Sequence, residues 1–273
     1  MTTRFDIMAL AHVLRDAAKA EILPRFRRLD AADIRQKSEA IDLVTDADVG
    51  AERVIKARAA ELWPEALFLG EEGVAADANL LSAYDDAPFS IVVDPVDGTA
   101  NFAAGLPLFA TMAAVVKNGE TIAGIIYDPM GDDWVLAEKG AGAFLRRPDG
   151  GELRYRVAEP PALKDVVGTV SIAFLPGDRR QVLSNLGKIR LAANYRVAGH
   201  DYRLLSGGNT HFAAYYKLMP WDHLAGALIV SEAGGYSAKY DGTPYRTTDR
   251  AGGLLNAASK DLWDELRREV FTF

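Results

Sequence analysis

The sequence predicts an α+β fold, in which helices pack against sheets. Three observations lead to this prediction: helical spacing of apolar residues up to residue 62, short strand-like runs between residues 66 and 138, and alternating strands and helices beyond residue 161. The chain has 273 residues, of which 49% are hydrophobic. It is therefore long enough to bury a large core without disulfides or a structural metal.

Two helices are predicted first, followed by strands. The first helix is expected over residues 5–28, and the second is expected to begin at a Thr45-Asp46 cap and to end before Pro64. Strand-like runs follow at residues 66–69, 90–93, 112–116, 121–127 and 134–138. The Asn118-Gly119 pair between two of these runs is a strong hairpin signal.

Residues 143–161 are rich in Arg, Pro and Gly and predict a surface hairpin or a link between two halves of the chain. We therefore place a boundary between residues 145 and 146. Beyond it, strands are expected at residues 166–174, 189–195, 211–216 and 253–256, and helices at 179–186, 201–206 and 222–232, with a terminal helix from Ser259. This alternation favours a layered α/β second half.

The composition excludes several kinds of chemistry. The chain has no cysteine, which excludes disulfides, iron–sulfur clusters, thiolate zinc sites and a cysteine nucleophile. A net charge of −7 without any Lys/Arg block argues against binding to a nucleic-acid polymer or to a membrane surface. We see no signal peptide and no apolar run long enough to span a bilayer. We therefore expect a cytoplasmic protein that acts on small molecules.

The segment of residues 90–99 carries the main chemical signal. Its apolar residues predict a buried strand, which is expected to end at a turn that contains Asp94, Pro95 and Asp97. Two carboxylates three residues apart can face one cavity and share a hard cation. Thr99 would begin a helical turn, whose N–H groups can receive a phosphate oxygen. The alternative is an ordinary Asx turn with solvated side chains.

Two further acidic positions support this interpretation. Glu71 and Glu72 lie between glycines at the end of an apolar run, and Asp222 precedes an apolar helix. Taken alone, the first pair is also typical of a structural loop, and Asp222 is also typical of a helix N-cap or first-turn acid. These positions support a cation site because they occur together with the segment that contains Asp94.

Four motifs occur in order along the chain: Leu43-Val44-Thr45-x-x-Asp48, Gly70-Glu71-Glu72, Asp94-Pro95-Val96-Asp97-Gly98-Thr99, and Pro220-Trp221-Asp222 followed by Ser231-Glu232-Ala233-Gly234-Gly235. Together they resemble the inositol monophosphatase family of lithium-sensitive, magnesium-dependent phosphatases, and the likeness covers essentially the whole chain. The resemblance implies a layered αβαβα sugar-phosphatase fold. The half 1–145 would carry most metal ligands, and the half 146–273 would supply Asp222, together forming one compact catalytic unit.

The resemblance also implies a site for two to three Mg²⁺ ions. The implied metal ligands are Glu71, Asp94, the main-chain carbonyl of Val96, Asp97 and Asp222, with Asp94 shared between two ions. Hard oxygen ligands of this kind suit Mg²⁺. Lys37 and Glu72 would lie behind the ligands, although Lys37 is equally typical of a solvated surface group.

The same resemblance assigns catalytic and substrate-binding roles. Thr99 and Asp48 would orient and help to deprotonate the attacking water, with Glu71 beside them. Asp46 is a rival for the role of Asp48, but the spacing from the preceding threonine favours Asp48. The substrate would contact Asp97, Gly98 and Thr99.

The predicted activity is hydrolysis of a small phosphate monoester by metal-activated water. Alternatives are a fructose-1,6-bisphosphatase, a histidinol-phosphate-type phosphatase and a nucleotide 3′-phosphatase. Outside enzymes, the alternative is an idle family member that acts as a binding or assembly protein. The resemblance further implies a homodimer and inhibition by Li⁺.

One departure from the family bears on the substrate. Inositol monophosphatases carry a glutamate before the Trp-Asp pair that binds substrate hydroxyls, whereas this chain has Lys217, and their Gly-Thr-Ala turn is replaced by a segment with Asp201 and Arg203. We expect Lys217 or Arg203 to meet a second anionic group and Asp201 to accept from a hydroxyl or amine. The alternative is that Lys217 points into solvent. The first hypothesis predicts that myo-inositol 1-phosphate is a poor substrate.

Overall fold

The computed structural model describes residues 5–36, 43–175 and 179–273. Its helices are α1 Ile7–Ala17, α2 Asp46–Leu62, α3 Glu71–Ala76, α4 Asn79–Asp85, α5 Thr99–Ala103, α6 Arg180–Asn185, α7 Ala198–Ser206, α8 Pro220–Glu232 and α9 Lys260–Glu269. Its strands are β1 Ile34–Gln36, β2 Leu43–Thr45, β3 Leu67–Gly70, β4 Phe89–Asp97, β5 Ala110–Lys117, β6 Glu120–Asp128, β7 Asp133–Glu138, β8 Gly142–Arg146, β9 Glu152–Tyr155, β10 Val167–Val170, β11 Leu191–Ala193, β12 Phe212–Tyr215, β13 Tyr236–Ala238 and β14 Leu254–Ala257. No helix in these ranges is long and apolar enough to cross a membrane.

The first helix differs from the single helix expected over residues 5–28. The α-helix ends at Ala17, a π-helical turn follows over Ala18–Ile22, and a 3₁₀ turn over Leu23–Arg25 closes the segment. Pro24 has no N–H with which to continue the α-helical ladder. The change of winding keeps both Ala18 and Ile22 fully buried. The second helix begins as predicted, because the Thr45 side chain accepts a hydrogen bond from the N–H of Ala47.

The larger sheet has seven strands in the order β3-β4-β5-β6-β7-β8-β9, and only the β3–β4 pair is parallel. Alternate side chains of β4 enter different cores: Ile91 and Val93 pack with α1 and α2, whereas Val92 packs with α7 and α8. This alternation follows from the two-residue period of a strand. The β5–β6 hairpin turns at Asn118 and Gly119, both with positive φ, as the sequence predicted.

The smaller sheet has five strands in the order β11-β10-β12-β14-β13. Along β12, Ala213 and Tyr215 face the core that contains α8, whereas Phe212 and Ala214 face the core that contains α6 and α9. Helices and sheets therefore follow one another as α1/α2, seven-stranded sheet, α7/α8, five-stranded sheet and α6/α9. The expected αβαβα layering is confirmed.

Strand β4 is longer than the sequence predicted. The strand was expected to end at residue 93, but it continues through Pro95 to Asp97. Its pairing with β5 shifts register between Asp94 and Asp97. An irregularity of this kind accommodates a proline, which cannot donate to the ladder. The hydroxyl of Thr111 on β5 instead donates to the carbonyl of Pro95 at 2.9 Å.

Part of the segment 143–161 forms a hairpin, which is one of the two alternatives that the sequence predicted. Strands β8 and β9 form an antiparallel hairpin at the edge of the larger sheet, which therefore extends to Tyr155. Helix α8 belongs to the second half of the chain but packs closely on the larger sheet: a Cβ at Gly124 would lie 2.7 Å from the carbonyl oxygen of Ala225. The division between residues 145 and 146 stays a prediction.

We expect the ion pair between Arg15 and Asp132, which ties α1 to the β6–β7 turn, to contribute about 1 kcal/mol to folding stability at neutral pH. Arg15 donates to both carboxylate oxygens, at 2.6 and 2.7 Å. These hydrogen bonds hold the pKa of Asp132 below its ordinary value. Because the folded-state pKa is the lower one, the contribution should be complete above about pH 4 and should shrink as the pH falls further.

The measurement is urea unfolding of wild-type protein and Asp132→Asn at pH 7 and pH 3. Asn tolerates the positive φ of 50° at this position, so the substitution leaves the backbone unstrained. Glu61→Gln, which removes an exposed pair with Arg58, is the control and should change the free energy of unfolding by less than about 0.5 kcal/mol. An Asp132→Asn effect of equal size at both pH values would contradict the prediction.

Candidate active site

A cavity of about 650 Å³ opens at the carboxyl end of β4. The first residues of four helices, α3, α5, α7 and α8, contribute to its lining. The first N–H groups of a helix have no partner within the helix, and they attract anions. Apolar side chains such as Val74, Phe174 and Trp221 complete the wall. The cavity therefore combines a polar floor with apolar sides, as small-molecule sites commonly do.

Carboxylates crowd the floor of this cavity. The lining includes Glu71, Asp94, Asp97 and Asp222. Asp94 is only 2% exposed, and its pKa is raised well above its ordinary value by burial and by the neighbouring charges of Glu71, Asp97 and Asp222. Burial likewise raises the pKa of Asp97 to about 7. Holding these acids close together therefore costs folding free energy.

The crowded acids fit a hard cation. Oδ1 of Asp94 is buried and has no hydrogen-bond partner within the described residues. Asp97 is held from behind, because its oxygens accept from the N–H groups of Ala198 and Gly199 at 3.1 and 2.5 Å. No three His, Asp or Glu side chains of the described ranges already stand in a metal-binding arrangement. Oxygen donors, an unpartnered buried carboxylate oxygen and mutual repulsion are nevertheless the features that a bound Mg²⁺ would satisfy.

Asp48 is positioned by the cap of its own helix. One carboxylate oxygen, Oδ2, accepts from the N–H and the hydroxyl of Thr45 at 2.8 and 2.5 Å. The other, Oδ1, lies 3.1 Å from the hydroxyl oxygen of Thr99. Burial raises the pKa of Asp48 to about 6. Asp46 instead forms an exposed pair with Arg35, so the structure brings Asp48 and not Asp46 to Thr99.

Gly98 turns the chain from β4 into α5. Its φ is 85°, and a Cβ there would lie 3.0 Å from the carbonyl oxygen of Leu108. Helix α5 then begins at Thr99, whose hydroxyl lies 2.9 Å from the carbonyl oxygen of Val96. A hydroxyl has one hydrogen, so Thr99 donates either to Val96 or to Asp48 at any moment.

Asp201 and Lys217 line the cavity, as the substrate hypothesis requires. Asp201 is 4% exposed and accepts from the hydroxyl of Tyr215 at 3.2 Å. Burial and the charge of Asp97 raise its pKa well above the ordinary value. Lys217 is exposed at the rim, with Nζ 5.3 Å above the ring centroid of Phe174.

Arg203 is not among the described residues that line the cavity, and its expected contact with substrate stays a prediction. Its guanidinium lies against the larger sheet, where it donates to Asp133 at 2.5 Å and to the carbonyl of Ile126 at 3.4 Å. Residues 201 and 203 are two apart on α7 and point in different directions. The helix therefore directs Asp201 to the cavity and Arg203 away from it.

Sequence reasoning missed Arg196, which with Lys217 supplies the cations among the described lining residues. Arg196 has a φ of 56°, and its guanidinium donates to the Asn101 side chain at 2.9 Å. No local motif marks this residue, because only the fold brings the loop before α7 next to α5. Non-glycine residues with positive φ are enriched at functional sites.

Three further residues lie near the motifs in the sequence: Lys37, Glu72 and His223. Lys37 falls outside the described residues. Glu72 is not among the described residues that line the cavity, and its N–H donates to Glu52. Nε2 of His223 lies 3.0 Å from the Lys217 carbonyl, which can only accept, so Nδ1 of His223 accepts from the Tyr202 hydroxyl. Burial lowers the pKa of His223 to about 4 and keeps it neutral.

A layered α–β fold with acidic side chains and helix N-termini around one cavity is typical of enzymes that hydrolyse small phosphate esters. The chain belongs to the inositol monophosphatase family, which it matches over residues 6–270. It is thus a phosphatase of this family, a phosphoric monoester hydrolase.

Curated relatives are 30–33% identical to the chain over the aligned residues. An inositol-1-monophosphatase of Rhizobium meliloti is 33% identical over 208 residues, which cover 74% of this chain and 73% of the relative. A fructose-1,6-bisphosphatase/inositol-1-monophosphatase of Thermotoga maritima is 30% identical over 84% of this chain and 80% of the relative. A histidinol-phosphatase of Streptomyces coelicolor is 31% identical over 89% and 90%. The relatives therefore differ in their named substrates.

Solved structures share the fold over nearly the full length. The extragenic suppressor protein suhB of Bartonella henselae superposes with a TM-score of 0.81 and 27% identity, covering 97% of this chain and 98% of that one. An IMPase of Thermotoga maritima gives the same TM-score at 25% identity, covering 97% and 95%. The family resemblance and the fold class predicted from the motifs are confirmed.

Proposed function

We propose that the protein is a Mg²⁺-dependent phosphatase that hydrolyses a small phosphate monoester through an attacking water. The observation that carries this proposal is the group of carboxylates around the buried Asp94, whose Oδ1 lacks a partner within the described residues. Buried like charges are costly unless a cation joins them. A cavity lined by the starts of several helices beside them supplies the place for a phosphate.

The proposed metal ligands are Glu71, Asp94, the carbonyl of Val96, Asp97 and Asp222. Bound Mg²⁺ would supply positive charge to the phosphoryl oxygens and make a water molecule acidic enough to attack phosphorus. The backbone N–H groups of Ala198 and Gly199 orient Asp97 for this task from behind. The proposal includes two to three ions, of which two would share Asp94.

Thr99 and Asp48 are the proposed pair that handles the proton of the water. When the Thr99 hydroxyl donates to Oδ1 of Asp48, its oxygen lone pairs face away from that bond and can accept from the water. The proton of the water then moves toward Thr99 while the Thr99 proton moves toward Asp48. Thr45 fixes the carboxylate of Asp48 through its other oxygen. Glu71, which lines the same cavity, is proposed to assist from the ligand side.

The experiment that tests this function is phosphate release from a panel of sugar, polyol, nucleotide and amino-alcohol phosphates after treatment with EDTA, with and without added Mg²⁺. Release should occur only with Mg²⁺. Release that continues undiminished in EDTA would contradict the proposal, as would release from no member of the panel. The second outcome would favour the idle binding protein.

Arg196 and Lys217 favour a substrate with a second anionic group. We expect kcat/KM for a sugar bisphosphate or a phosphorylated acid to exceed that for myo-inositol 1-phosphate. Lys217→Ala should lower kcat/KM for the doubly anionic substrates by about tenfold and leave a neutral polyol phosphate nearly unchanged, because one charge contact at the rim is lost.

Lys117→Ala removes an exposed lysine at the end of β5 and is the matched control, with no expected effect. If myo-inositol 1-phosphate gives the highest kcat/KM of the panel and Lys217→Ala changes no substrate, the second-anion hypothesis is wrong. A gain for amino-alcohol phosphates that is lost in Asp201→Asn would instead favour a substrate of the histidinol-phosphate type, since Asp201 lines the cavity as an acceptor.

Other implications of the family stay predictions. They are inhibition by Li⁺ in the presence of Mg²⁺, a homodimer, a cytoplasmic location and the division into halves 1–145 and 146–273. Among the described residues that line the cavity, none specifically favours nucleotide 3′-phosphatase activity.

A further inference from the structure

Glu52 is a buried carboxylate that contacts the backbone of residues 70–73, the Gly-Glu-Glu-Gly segment. It lies on α2 and is 7% exposed. One of its oxygens accepts from the N–H of Glu72 and the other from the N–H of Gly73, each at 2.8 Å. Hydrogen bonds from backbone N–H groups to a carboxylate are stronger than those between neutral groups. Both oxygens of Glu52 therefore accept hydrogen bonds from the backbone that directly follows Glu71.

The two glycines of the segment are explained by the same carboxylate. A Cβ at Gly70 would lie 2.2 Å from Cδ of Glu52, and a Cβ at Gly73 would lie 3.1 Å from its Oε1. Neither glycine has a positive φ, so close approach to Glu52 is the reason for glycine here, and not a left-handed turn. The glycines that frame Glu71 and Glu72 are thus part of one contact with α2.

Helix α2 also carries Asp48, four residues before Glu52. Residues four apart lie on the same face of a helix, one turn from each other. Asp48 contacts Thr99 at the start of α5, and Glu52 contacts the start of α3. One rigid helix face therefore sets the position of the proposed proton-handling pair relative to Glu71.

We propose that Glu52 is a positioning residue, whose carboxylate fixes the backbone of residues 70–73 and so directs Glu71 toward Asp94 for metal binding. The inference rests on the proposed Mg²⁺ dependence. Residues that orient a metal ligand typically change metal affinity by about 10- to 100-fold when replaced.

The first test is Mg²⁺ binding to Glu52→Gln by isothermal titration calorimetry, together with the Mg²⁺ dependence of phosphate release. The side-chain NH₂ of Gln replaces one acceptor oxygen with a donor that faces a backbone N–H group, so one of the two hydrogen bonds is lost. We expect the Mg²⁺ dissociation constant to rise by about tenfold, with kcat at saturating Mg²⁺ reduced by less than about threefold. Glu61→Gln, near the far end of α2, is the matched control and should bind Mg²⁺ like the wild type.

The second test is a double-mutant cycle of unfolding temperatures without metal, using Glu52→Ala, Gly70→Ala and the combination. Gly70→Ala alone should lower the unfolding temperature, because its Cβ meets the carboxylate. In the double variant the methyl group occupies the space that Glu52 vacates, so the combined loss should be smaller than the sum of the single losses. Additive losses would show that the contact is absent and would overturn the inference.

The outcomes separate the inference from the function on which it rests. A wild-type protein that binds no Mg²⁺ overturns the proposed function and the positioning role with it. A wild-type protein that binds Mg²⁺ while Glu52→Gln binds it equally well overturns the positioning role alone, even if Glu52→Gln unfolds at a lower temperature.

Discussion

Asp94→Asn should reduce Mg²⁺-dependent phosphate release by at least about 10³-fold while the protein stays folded. The carboxylate lies among Glu71, Asp97 and Asp222 and is proposed to bind two ions, so one lost charge affects both. An amide oxygen is a much weaker Mg²⁺ ligand than a carboxylate. The measurement is kcat/KM on the best substrate of the panel, across a range of Mg²⁺ concentrations.

The unfolding temperature of Asp94→Asn without metal separates chemistry from stability. It should equal or exceed that of the wild type, because the substitution removes a buried charge from among like charges. A loss of activity together with a large loss of stability would point to misfolding. Normal turnover with normal Mg²⁺ affinity would remove Asp94 from the proposed site.

Thr99→Ala should lower kcat by about 10²-fold and change KM by less than about threefold. The hydroxyl of Thr99 stands between Oδ1 of Asp48 and the cavity, and alanine removes this hydroxyl without filling its place. The backbone N–H at position 99, which would help to hold the phosphate, is retained. Turnover should therefore fall more than binding.

Three further variants make the Thr99 result specific. Thr99→Ser keeps the hydroxyl and should retain most of the wild-type kcat. Asp48→Asn should resemble Thr99→Ala, whereas Asp46→Asn, an exposed acid two residues away on the same helix, should behave like the wild type. A Thr99→Ala effect confined to KM would make Thr99 a phosphate-binding residue and not part of the proton path.

Local sequence patterns predicted the parts of the site that depend on neighbouring residues. The Thr45 cap places Asp48 by contacts within three residues, and Gly98 permits the turn that starts α5 at Thr99. Both features follow from backbone chemistry that a short motif contains. The layered second half likewise followed from the alternation of strand-like and helical runs, whereas the full αβαβα layering came from the family resemblance.

Contacts between residues far apart in the chain could not be predicted from the sequence. Arg196 lies just before α7 and Arg203 lies in its last turn. Only the fold shows that Arg203 pairs with Asp133 while Arg196 lines the cavity. Glu52 has no motif of its own, since its partners lie 20 and 21 residues away. The continuation of β4 past Pro95 depends on the register shift against β5, which one strand alone does not reveal.

The most direct test of the proposed metal centre is anomalous diffraction from crystals of the wild-type protein grown with Mn²⁺, which binds the same oxygen ligands as Mg²⁺. The prediction is two strong peaks that share the Asp94 carboxylate, each within about 2.0–2.6 Å of its oxygens, with Glu71 at one peak and Asp222 at the other. Peaks only elsewhere, or none near Asp94 in a protein that hydrolyses phosphate esters with Mn²⁺, would contradict it.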